Sequence, residues 1–155
     1  MKRVVYMFFV MLALVCASCS KDDGGISSES LVGHWQSVHS RHIYRYVDTG
    51  EEKIEEKSDN AAIDFVLYGD GRCERSYANG TWSFADGKLN LYTSYYHLSL
   101  GKEIKGENLY DVISLKGSEM IIEEHTTGRD DEYTPEGYIE HELQITSTYT
   151  LKKIE

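Results

Sequence analysis

Ile139, His141, Leu143, Ile145, Ser147, Tyr149 and Leu151 occupy one set of alternating positions, and Glu140, Glu142, Gln144, Thr146, Thr148, Thr150 and Lys152 occupy the other. A period of two sends the sets to opposite faces of an extended strand, so residues 139–151 read as a long, half-buried strand. Such a strand needs partners along its edges. The rest of the chain supplies them: from Leu31 onward turn signals recur at short intervals, and the only proline is Pro135. This is the spacing of an all-β barrel or sandwich rather than of alternating strands and helices.

Seven further strands are predicted, at about 31–46, 61–68, 72–78, 81–85, 88–94, 109–116 and 119–127. In the second, Ile63, Phe65 and Leu67 share one face. Gly69-Asp70-Gly71 turns the second into the third. Asn79-Gly80 is the strongest hairpin signal, because both residues tolerate the positive φ of a type I′ turn, and Asp86-Gly87 repeats the device. Gly117-Ser118 joins the sixth and seventh strands, where apolar residues fall on both alternating sets and leave the inward face undefined. Residues 48–60, the tyrosine-rich stretch from Tyr95 to Asn108, and 128–137 read as loops. Eight strands in up-and-down order close into a barrel whose interior holds side chains or one small ligand.

In front of this domain, Met1-Lys2-Arg3 and an apolar run of twelve residues, Val4 to Val15, form a secretory leader. The run falls short of the ~20 residues a spanning helix needs. Cys16-Ala17-Ser18-Cys19 resembles the lipobox of lipoprotein signal peptides, with Cys16 where an aliphatic residue is usual. Cleavage is expected between Ser18 and Cys19, leaving Cys19 as the lipidated N-terminus. Two or more acyl chains suffice for stable membrane attachment. Ser20-Lys21-Asp22-Asp23 resembles the acidic signal that sends some Gram-negative lipoproteins to the cell exterior, and Gly- and Ser-rich residues 24–30 read as a flexible linker. The expected organisation is leader 1–18, lipidated tether 19–30 and barrel domain 31–155, anchored in the outer membrane and facing outward.

Gly33-His34-Trp35 is similar to the Gly-x-Trp element on the first strand of lipocalin-like barrels. Gly80-Thr81-Trp82 and the closing Tyr149-x-Leu151-x-Lys153-Ile154 extend the likeness, so the chain resembles bacterial lipocalin-like, calycin-type domain lipoproteins over most of 31–154. The resemblance implies an eight-stranded antiparallel barrel with Trp35 plugging its floor. It also implies a small apolar or amphipathic ligand held among inward-facing Trp35, Phe65, Trp82, Phe84, Leu91 and Tyr149.

Charge narrows the partners. The chain carries 16 basic and 26 acidic residues. Removing Lys2 and Arg3 with the leader leaves 14 against 26, a net charge of -12, which repels phosphate backbones and argues against nucleic-acid binding. Cys73 is the one cysteine outside residues 1–19, so the barrel is no disulfide scaffold, and Cys73 reads as a small strand residue.

The six histidines, His34, His39, His42, His97, His125 and His141, show neither i, i+2 spacing nor a His-Glu-x-x-His motif, and no metal or other cofactor is implied. Glu51 to Lys57 and Asp130-Asp131-Glu132 read as solvated charge. No Gly-x-Ser-x-Gly elbow exists, so a non-enzymatic binding module is expected. The alternative is a filled-barrel interaction protein, such as an inhibitor or a subunit of a surface complex, acting through its loops and eleven mature-chain tyrosines. Any ligand is expected to enter at the end bearing loop 48–60, with Asn79-Gly80 and residues 95–108 on the same rim.

Overall fold

The computed structural model describes residues 25–58, 62–135 and 137–154. The leader, Ser18 and the lipidation position Cys19 lie outside the described residues. Among the described residues a helical turn, α1 (Ser28–Leu31), precedes nine strands: β1 (Gly33–Tyr46), β2 (Glu52–Lys57), β3 (Asp64–Leu67), β4 (Arg72–Arg75), β5 (Ala78–Ala85), β6 (Lys88–His97), β7 (Lys102–Lys116), β8 (Glu119–Thr134) and β9 (Gly137–Ile154). All pairings are antiparallel, in the order β2-β1-β3-β4-β5-β6-β7-β8-β9, and β1 also pairs with β9. Eight strands, all except β2, therefore close the barrel that the alternation and turn spacing predict.

Several boundaries differ from the sequence reading. Residues 28–31 are helical rather than linker or strand: Ser27 caps the turn, Leu31 is buried, and Ile26 packs against the core. The charged loop contains β2, which pairs with Ser40–Arg45 of β1. Asn79-Gly80 is not a turn. Both residues lie within β5, opposite Ser94 and Thr93, while the chain reverses three residues earlier at Ser76-Tyr77, with Ser76 at φ 52°. Gly80 serves close approach instead, since a Cβ there would sit 1.7 Å from the Tyr92 carbonyl oxygen. Asp86-Gly87 does take positive φ at both positions, 53° and 75°, as a type I′ turn requires.

The supposed loops 95–108 and 128–137 are mostly strand. β6 and β7 pair out to His97 opposite Lys102 around a short 3-10 turn at Leu98–Leu100, and β8 pairs with β9 out to Thr134 opposite Gly137. The ambiguous parity of the sixth predicted strand is resolved by a bulge between Val112 and Ser114. Tyr110 and Val112 point inward before it and Leu115 packs against the core after it, while Leu109 and Ile113 face solvent. One extra residue has switched the face.

The barrel is closed only in its lower half, the end bearing α1 and Gly33. β3 pairs with β1 over Gly33–Gln36 and with β4 over Phe65–Leu67, and β7 pairs with β8 only from Asp111 to Lys116. Above those levels the wall forks into two leaves among the described residues, β2-β1-β9-β8 and β5-β6-β7. The connections after β1, β4 and β6 lie at this forked end, on the side expected for a mouth, and the tight turns at Asp86-Gly87 and Gly117-Ser118 close the other.

Candidate functional site

The floor is built from residues whose alternation aims them inward. Trp35, Phe65, Leu67, Leu89, Leu91, Met120, Ile122 and Leu151 are all at most 1% exposed. Trp35 Nε1 donates to the Leu31 carbonyl at 2.7 Å, tying α1 across the bottom, and Lys153 Nζ lies 5.5 Å from the indole centroid. Gly33, at φ 144°, leaves room for this lysine: a Cβ there would stand 2.2 Å from Lys153 Cε. Trp82 Nε1 donates to the Tyr68 carbonyl at 2.9 Å, so both indoles meet their hydrogen-bonding need inside the floor.

Of the six predicted lining residues, Trp35, Phe65 and Leu91 are fully buried, Tyr149 is buried, and Trp82 and Phe84 pack against the same cluster. They fill the lower barrel. None of them borders the two clefts described below. Cys73 is buried in the same layer, where desolvation raises its thiol pKa and disfavours the thiolate a nucleophile needs.

At the fork the inward positions become polar. Arg75 closes β4 and donates to Asn108 Oδ1, whose amide lies 3.5 Å from Glu124 Oε1, so one chain of contacts spans the gap between β7 and β8. Among the described residues Arg75 enters no ion pair with a carboxylate within 4 Å. On the opposite wall His42 Nδ1 lies 2.9 Å from Ser147 Oγ, with the Tyr149 ring edge-on at 5.7 Å. Two buried hydroxyls in this belt, Tyr110 Oη and Ser40 Oγ, have no hydrogen-bond partner among the described residues. Burial pushes the Tyr110 phenol far up, Glu124 and Tyr149 push it the same way, and Arg75 opposes them, so the hydroxyl stays protonated.

Above the belt each leaf carries a cleft on its inner face. On the β5-β6-β7 leaf a cavity of about 350 Å3 has Arg75 at its base and Ala78, Thr93, Tyr95, Ile104 and Gly106 along its wall. Gly106 leaves the wall open, since a Cβ there would meet only Thr93 Oγ1 at 3.7 Å. On the other leaf a cavity of about 290 Å3 lies among Tyr44, Tyr46, Lys53, Glu55, Leu143 and Ile145.

The rim over the second cleft is clamped by charge. His141 Nδ1 sits 2.7 Å from Asp48 Oδ2 and its Nε2 3.5 Å from Glu132 Oε2, and Tyr46 donates to Asp130 Oδ2 at 2.7 Å. The hydrogen bond to Asp48 leads the rise in the His141 pKa and lowers that of Asp48. The histidines do not converge: no cluster of three or more His, Cys, Asp or Glu able to hold a metal exists among the described residues. No described helix is long and apolar enough to cross a membrane.

Comparison with protein-family models, with curated proteins and with solved structures finds no match. The site is therefore read from its own geometry. Sequence reasoning missed Arg75, Asn108, Tyr110 and Glu124. The available signal was parity: Glu124 continues the inward series Met120, Ile122, and Asn108 precedes Tyr110 by two.

Proposed function

We propose that this chain is a membrane-anchored, outward-facing lipoprotein of the lipocalin-like kind, and that its barrel is a non-enzymatic binding module for a small amphipathic ligand. The observation that carries the binding role is the division of the barrel: a filled apolar floor below, and above it forked leaves whose inner faces hold clefts of about 350 and 290 Å3 over a polar belt. Cavities of roughly 300 Å3 or more suit small ligands. The anchor rests on the apolar run Val4 to Val15 followed by Cys16-Ala17-Ser18-Cys19.

Native mass spectrometry of the full-length protein extracted from its host membranes tests both parts. The intact mass should carry acyl chains that Cys19→Ala removes together with membrane association. A co-purifying small molecule should be lost on Gly106→Ile, which fills the larger cleft. Protein without acyl chains contradicts the anchor; protein without a small molecule, together with failure to bind any amphipathic probe, contradicts the binding role.

A second reading, an interaction protein, is favoured by one feature. Tyr77, Tyr96, Leu98, Tyr133 and Tyr138 are all more than 60% exposed and gather on the tips around the mouth. Rigid aromatic side chains at loop tips make effective contacts with protein partners.

A further inference from the structure

Cleft, belt and fork meet at one place. The larger cleft has mainly apolar walls, Ala78, Tyr95 and Ile104, and ends downward on Arg75, a half-buried guanidinium whose described contact is a neutral amide. Arginine presents five N–H donors, and that contact leaves others unused. One inward position below Asn108 on β7, and outside the cleft's own lining, Tyr110 is 0% exposed, and its hydroxyl feels the charges of both Arg75 and Glu124 yet bonds to nothing among the described residues. A buried hydroxyl without a partner has lost its hydration uncompensated, a cost that a ligand acceptor would relieve. Donors dominate this corner. Among the described residues Glu124 is the one carboxylate in this chain of contacts, and Asn108 stands between it and Arg75.

We propose that the cleft takes its ligand head-first: Arg75 and Tyr110 receive the acceptor-rich head, a carboxylate or carbonyl group, of an amphipathic molecule whose apolar body lies along Ala78, Tyr95 and Ile104. This rests on the binding-module reading and adds the orientation and head chemistry. A guanidinium on carboxylate forms charge-assisted bonds of about twice the strength of neutral ones. The acidic surface then acts as a filter rather than an attractant, so that an anion is held for the donors it meets inside.

Isothermal titration of the full mature chain in nanodiscs, with empty nanodiscs subtracted, tests this using octanoate, 1-octanol and octylamine. Octanoate should bind about ten-fold tighter than 1-octanol. Arg75→Gln should abolish that preference by weakening octanoate about ten-fold, while retained binding of 1-octanol shows the cleft intact. Tyr110→Phe removes an unpartnered hydroxyl; it should fold as well as the parent and bind octanoate about five-fold more weakly. Equal binding of octanoate and 1-octanol, or a preference surviving in both variants, overturns the head assignment while leaving the binding module standing. Octylamine binding tightest also overturns it, pointing to Glu124. If none of the three binds, the binding-module reading falls and the head assignment with it.

Discussion

The two halves of the barrel are made from the same strands and obey different chemistry. Below the fork, β1, β6, β7, β8 and β9 send Trp35, Leu89, Leu91, Tyr110, Met120, Ile122 and Leu151 inward, and all are 0% exposed. Above it the same strands send inward Tyr44, Tyr95, Ile104, Asp130 and Ile145, which line clefts instead of a core. The difference follows from pairing. Where every strand has two neighbours, the interior is sealed and apolar burial stabilises it; where β7 and β8 part company, side chains cannot meet across the barrel and open surface remains. One fold thus separates a sealed core from open, cleft-lined surface along its axis.

Substitutions should respect that division. Trp35→Ala, at the sealed end, is expected to cost about 3–5 kcal/mol in chemical denaturation. A loss below about 1 kcal/mol would place the tryptophan outside the structural core. Gly80→Ala, near the fork, should cost about 1–3 kcal/mol because its Cβ collides with the Tyr92 backbone, while neighbouring Asn79→Ala should be nearly neutral. Equal costs at both positions would restore the turn that the structure moves to Ser76-Tyr77.

The clamp at the mouth should act through pH. The folded pKa of His141 is raised from 6.5, so its contribution is complete below about 6.5 and is lost as pH rises through the folded value. The folded pKa of Asp48 is lowered from 3.8, so its contribution is complete above about 3.8 and is lost as pH falls through the folded value. The stability difference between the parent and His141→Gln should therefore be greatest between about pH 4 and 6.5. A flat difference from pH 4 to 9 would mean that the clamp carries no linkage. The smallest effect is expected for Tyr95→Ser on the open leaf, within about 0.5 kcal/mol in chemical denaturation.

The division also explains what could be read from the sequence. The eight barrel strands were legible from their turn signals and, in β6 and β9, from sealed-half residues such as Leu89 and Leu151 that alternate with polar neighbours. β2 was not, because Glu52–Lys57 is charged on both faces and lies against the open mouth. The upper parts of β6, β7 and β8 were hidden for the same reason: once no core lies opposite, the period of two disappears while hairpin pairing continues. Asn79-Gly80 misled because glycine serves close approach as well as positive φ. The belt was invisible because Arg75, Asn108 and Glu124 are inward residues of the type that usually marks an outward face.

Amide hydrogen exchange on the full mature chain tests the division most directly. The sealed half, including the amides of Trp35, Leu91, Tyr110, Ile122 and Leu151, should exchange only through global unfolding, and the leaves, including Tyr44, Tyr95, Ile104 and Arg129, through local openings of lower free energy. Uniform protection along β6, β7, β8 and β9 from one end to the other would contradict the account.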